Sequence, residues 1–117
     1  MISWLKGLKI EAWFQGNREG LVLACGGVGY EVQLPPRQLA QLESVKEITL
    51  WIHQVRRDDG DALFGFLERR ERDLFRTLIK VSGVGPQMAI SLIEACHLNE
   101  LVDAIINQDL RKLSSAQ

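Results

Sequence analysis

The chain has 117 residues, enough for one domain or two very small ones, and 46% of them are apolar, the level of a folded domain with a buried core. No apolar run approaches the roughly 18 to 20 residues that span a bilayer, and the opening Met1-Ile2-Ser3-Trp4-Leu5-Lys6-Gly7 lacks the regions of a signal peptide, so the cytosol is the expected compartment and no membrane is expected as a partner. Fourteen basic residues against fifteen acidic give a net charge of −1, so composition offers no broad basic surface to a polyanion, and any site for one must rest on local geometry.

Strand patterns fill the first two thirds. Residues 2–14 form a long apolar-rich stretch that Gln15-Gly16-Asn17-Arg18-Glu19-Gly20 turns back as a hairpin. A second strand runs from Leu21 to Cys25, Gly26-Gly27-Val28-Gly29 breaks or bulges the pattern, and Tyr30 to Leu34 alternates with period two as a third strand. Pro35-Pro36 ends it, and residues 37–42 form one or two helical turns. Ile48, Leu50 and Ile52 then mark a fourth strand within Val45 to Val55. Beyond the polar run Arg56-Arg57-Asp58-Asp59-Gly60-Asp61, with Asp59-Gly60 as its hairpin signal, Ala62 to Phe66 is the fifth. Five strands with a short helix between the third and fourth follow the order of the OB-fold, although other small barrels share the strand count.

After Leu67 the period becomes helical, which puts an expected boundary between domains 1–67 and 68–117. Leu74, Phe75, Leu78 and Ile79 form one apolar stripe, with Arg69, Arg70, Arg72 and Arg76 largely elsewhere. Ser82-Gly83-Val84-Gly85-Pro86 interrupts, and Gln87 to Ala95 resumes with Met88, Ile90, Leu92 and Ile93. Asn99 caps a further helix to Asn107, and Asp109 starts another. Cys25 and Cys96 lack metal or redox spacing and are expected to be buried free thiols.

Helix, Gly83-Val84-Gly85-Pro86, helix is the arrangement of a helix-hairpin-helix. Two glycines permit a tight bend free of side chains, so the N–H groups at the start of the next helix can meet a phosphate oxygen. Such a site binds a phosphodiester without reading bases; the plainer alternative is a tight interhelical connection. Asp58, Asp59 and Asp61 admit two readings as well: a solvated turn, or a Mg²⁺ site for phosphodiester cleavage, for which no fourth ligand or base is evident. His53 and His97 read as surface or packing residues. Trp4, Trp13, Trp51 and Tyr30 lie inside apolar strand patterns, which favours the core over base stacking.

Taken together, Met1-Ile2-x-x-Leu5-x-Gly7, Gly26-Gly27-Val28-Gly29-Tyr30-Glu31-Val32, Leu63-Phe64-Gly65-Phe66, Glu71-Arg72, Leu74-Phe75 and the run from Leu78 to Pro86 resemble the RuvA family of bacterial Holliday-junction-binding subunits over nearly the whole chain. The resemblance implies an OB-fold, then a domain with two helix-hairpin-helix motifs, then a linker to a small domain that contacts the ATPase RuvB. It implies a homotetramer, alone or paired as an octamer, that holds a four-way DNA junction open for branch migration in recombination and repair. Asp58 and Asp59 match the family's acidic pin, which repels phosphates at the crossover, and Arg56 and Arg57 beside it would hold nearby strands. Gly83, Val84, Gly85 and Gln87 fall on the DNA-binding hairpin, where the family commonly has Lys in place of Gln87. The chain ends at Ser114-Ser115-Ala116-Gln117, where the family approaches its second hairpin; a fragment lacking that hairpin and the RuvB-contacting domain is expected, with weaker junction binding.

Three functions remain for comparison: a non-catalytic junction-binding subunit, a single-strand-binding OB module, and a metal-dependent nuclease. No Gly-x-x-x-x-Gly-Lys-Ser/Thr loop is present, so no nucleotide cofactor or catalytic residue is assigned and ATP hydrolysis would belong to the partner.

Overall fold

A computed structural model describes residues 1–95. Its elements are β1 (Trp4–Gln15), β2 (Arg18–Cys25), β3 (Val28–Gln33), α1 (Pro36–Gln41), β4 (Glu47–Arg57), β5 (Gly60–Phe66), α2 (Arg69–Ile79) and α3 (Pro86–Ala95). The helices expected after Asn99 and at Asp109, and the approach to a second hairpin, lie outside the described residues. None of the described helices is long and apolar enough to cross a membrane.

The strands form a closed barrel in the order β1-β2-β3-β5-β4, antiparallel except for the parallel β3–β5 pair. Closure depends on β1. Its first half pairs with β4 from Trp4↔Trp51 to Leu8↔Glu47, and its second half pairs with β2 from Leu8↔Ala24 to Gln15↔Arg18. Between Lys9 and Glu11 the register slips, leaving Ile10 as an extra residue; such a bulge bends a strand enough to serve two neighbours. Gly26-Gly27 is a two-residue hairpin turn between Cys25 and Val28, with φ of 58 and 84, where the sequence pattern left only a break or bulge.

Alternation fills the barrel. Leu21 and Leu23 on β2, Val32 on β3 and Ile48, Leu50 and Ile52 on β4 are buried together, each pair two residues apart within its strand. Leu39 and Leu42 join this core from α1 and its end. Lys9 secures that end: its Nζ donates to the carbonyls of Leu42 at 2.8 Å and Glu43 at 2.6 Å, where a helix leaves acceptors without partners.

By contact the chain divides into two compact units, Met1–Arg72 and a second beginning at Asp73, so the first turn of α2 is counted with the barrel although the hydropathy period changes at Leu67. Polar contacts hold that turn. Buried Gln38 of α1 accepts from the Leu67 N–H at 2.8 Å and donates to the Glu71 carboxylate, which also accepts from the Glu68 N–H at 2.9 Å. In the second unit Leu74, Phe75, Leu78 and Val81 are buried along α2 and its exit, and Ala89, Ile90 and Ile93 along α3. Both sets follow helical spacing; Ile79, expected on the stripe, is half-buried, and Met88 faces out.

Candidate nucleic-acid interface

Two groups of residues singled out by sequence lie one in each unit. On the barrel, β4 and β5 pair out to Arg57↔Gly60, which places Asp58 and Asp59 at the two turn positions, fully at the tip. The turn is thus one residue earlier than the expected Asp59-Gly60, because Gly60, at φ 125, pairs across the hairpin instead of turning it. Arg56 and Arg57 are the last residues of β4, and all four side chains are exposed. Lower on the stem, Gln54 Nε2 donates to Asp61 Oδ2 at 2.6 Å, while Gln54 Oε1 accepts from the Ile2 N–H at 2.9 Å. Asp61 is therefore a strut of the hairpin. Among the described residues no three His, Cys, Asp or Glu side chains are grouped to hold a metal ion.

In the second unit α2 winds down through short-range bonds, Val81 N–H to Leu78 C=O at 3.0 Å and Val84 N–H to Val81 C=O at 3.1 Å. Gly83 turns the chain at φ 83, a region that costs an L side chain strain. Gly85 differs. Its φ is not left-handed, and a Cβ built on it would meet no heavy atom within 4 Å, so nothing within the described fold demands glycine there. Pro86 is the first helical residue, and the ladder of α3 begins with the Ala89 N–H to Gly85 C=O bond at 3.0 Å. Amides ahead of that bond face outward along the helix axis, where the helix dipole favours an anion. Ser82, Gly83 and Gly85 are exposed, whereas Val84 is half-buried and anchors the bend. Gln87 sits in the first turn of α3, so that position presents an amide and no cation.

Other sequence candidates fall differently. Tyr30 packs on the barrel core, but Trp4 is 47% exposed and does not join it. Trp51 is half-buried beneath the guanidinium groups of Arg72 and Arg69, at 5.1 and 5.8 Å from its ring centroid. Cys25, expected to be buried, is a half-buried free thiol whose pKa is raised by desolvation. His53 lies half-buried on β4, while Cys96 and His97 lie outside the described residues. Sequence reasoning missed Gln38, Glu71 and Arg72 as supports of α2. Their only mark is a long polar side chain beside an apolar position, a pattern shared by most surface residues.

The described chain is thus a five-stranded barrel of OB type followed by a glycine-turned helix pair, the class of a barrel and helix-hairpin-helix protein. Residues 1–65 match the family model described as RuvA N terminal domain, and residues 75–117 match a SAM-like helix-hairpin-helix tandem. The chain belongs to the RuvA family. It is 65% identical over 118 residues to the Holliday junction branch migration complex subunit RuvA of Prochlorococcus marinus (strain MIT 9313), covering 100% of this chain and 52% of that protein. The proteins of the same name from Synechococcus sp. strains CC9311 and WH7803 are 60% and 57% identical over 117 residues, again across 100% of this chain and 53% and 54% of theirs. The chain spans about half the length of the curated relatives it matches.

Proposed function

We propose that this chain binds four-way DNA junctions by their sugar–phosphate strands, without reading sequence, as a non-catalytic subunit of a bacterial branch-migration complex. The observation that carries the reading is Gly85: an exposed residue whose missing side chain serves no packing or backbone need of its own, at the mouth of a helix N-terminus. A glycine of that kind leaves room for something to approach the main chain closely, and outward N–H groups can donate to a phosphate oxygen there. The net charge of −1 agrees with binding through neutral donors. In this reading four copies assemble through their barrels in the cytoplasm, the Asp58-Asp59 tips meet at the crossover and repel the strands there, Arg56 and Arg57 hold strands alongside, and a RuvB-type ATPase supplies the motion. The relatives' names, as subunits of a branch migration complex, support it.

The test is a gel-shift titration of a four-way junction against linear duplex of equal length. Tighter binding of the junction is expected; equal affinity for both would remove junction recognition from the account.

A further inference from the structure

Arg56 has an anionic neighbour that it does not use. The β4–β5 register sets Arg56 directly opposite Asp61, and side chains so opposed in an antiparallel pair share one face, with Cβ atoms about 4.5 to 5.5 Å apart. Opposite charges in that arrangement attract. Yet among the described residues Arg56 makes no ion pair.

A third residue holds the carboxylate. Gln54 precedes Arg56 by two positions on β4 and so shares its face, and its Nε2 donates to Asp61 Oδ2 at 2.6 Å. The amide is fixed in that sense. The Ile2 N–H, which can only donate, meets Oε1 at 2.9 Å and leaves the NH₂ group for the carboxylate. Ile2 is itself held by its neighbour, because the Ser3 carbonyl accepts from the Ile52 N–H at 2.8 Å and from Arg72 Nη1 at 3.0 Å. The half-buried Gln54 is therefore anchored to the barrel, whereas Arg56 and Asp61 stand exposed beside it. We propose that Gln54 is a positioning residue for DNA binding: by drawing the Asp61 carboxylate onto itself, it keeps the Arg56 guanidinium open to a DNA phosphate. This rests on the function proposed above, in which Arg56 holds a strand beside the acidic tip. A guanidinium already engaged by a carboxylate must release it before taking a phosphate, but an uncommitted one offers its whole fork of N–H donors.

The test titrates a four-way junction and a linear duplex side by side with the full chain, at low and moderate salt. Gln54→Met removes both hydrogen bonds of the amide and frees the Asp61 carboxylate to pair with Arg56. Junction affinity should then fall about fivefold, with a shallower salt dependence, because a charge-assisted phosphate contact is lost from each copy. Adding Asp61→Asn to Gln54→Met should return both to within about twofold of the wild type, although the hydrogen-bonded strut is still missing. Asp61→Asn alone should change affinity by less than about twofold, since Arg56 is already open. Undiminished affinity in Gln54→Met, or a loss that Asp61→Asn leaves in place, overturns the proposal; so does a gain from Asp61→Asn that is the same with Gln54 present. A wild-type chain that binds duplex as tightly as junction removes the junction reading instead, and the same variants are then scored on the duplex phosphates. Binding to neither DNA overturns both.

Discussion

The guanidinium of Arg72 lies 5.1 Å from the centroid of the Trp51 ring, with its Nη1 donating to the Ser3 carbonyl at 3.0 Å. An arginine from the first turn of α2 is thereby 95% removed from solvent on the face of a β4 tryptophan, its charge met by the ring's negative face and a backbone acceptor. A double-mutant cycle of Arg72→Met and Trp51→Leu should return a coupling of about 1 to 2 kcal/mol in denaturant unfolding, the range for a largely desolvated cation–π pair. A coupling near zero would show the two side chains to be neighbours without energetic consequence.

Glu71, beside Arg72, makes the barrel's stability depend on pH. Burial pushes its carboxyl above the usual 4.5; the Glu68 carboxylate adds to the rise, and the hydrogen bonds from the Glu68 N–H and Gln38, with the charge of Arg70, oppose it. The folded state therefore holds this proton more tightly than the unfolded chain does. Its contribution is complete below 4.5 and is lost as pH climbs through the raised folded value. Thermal melts of the wild type should lose stability across that window relative to Glu71→Gln, which has no proton to release; parallel curves would contradict the shift.

Much of the barrel is legible in the sequence, and the reasons are local. Ile48, Leu50 and Ile52 announce a strand because a period of two has no other common cause, and the short helix at Pro36 follows from proline's preference for a first helical turn. What escaped is set by tertiary pairing. Nothing in Lys9-Ile10-Glu11 marks a bulge, yet closure of the barrel turns on it. The hairpin at Asp58-Asp59 was misplaced by one residue because Asp-Gly is a good turn in isolation and only the β4–β5 register excludes it. Trp4 was assigned to the core by its apolar neighbours, but it stands on a strand whose alternate residues face outward. Of the candidate site, the Gly83-to-Pro86 bend was readable because glycine and proline constrain the backbone directly.

The acidic tip has a signature of its own. If Asp58 and Asp59 from several copies repel phosphates, Asp58→Asn with Asp59→Asn should tighten junction binding. Each close pair of like charges costs about 0.7 kcal/mol at roughly 6 Å in water, so the combined gain should be several-fold, and it should shrink as salt is raised. Titrations at low and moderate salt check this. Weaker binding by the double variant at low salt would mean that the aspartates hold something in place of repelling it.

Within the bend the two glycines should separate stability from binding. Gly83→Ala forces a side chain to φ 83 and should cost about 1 to 2 kcal/mol in unfolding free energy, read by chemical denaturation. A cost near zero would mean that the turn relaxes to another backbone path.

Gly85→Ala is the most direct test of the claim that main-chain amides at this bend grip the DNA strand. The new methyl enters open space, at a residue whose φ lies outside the left-handed region, so stability should change by less than about 1 kcal/mol. Junction affinity measured on the same preparation should nevertheless fall about tenfold, a loss of about 1.4 kcal/mol, because the methyl stands where the phosphate must approach. Unchanged affinity in a folded Gly85→Ala chain would contradict the account at its centre.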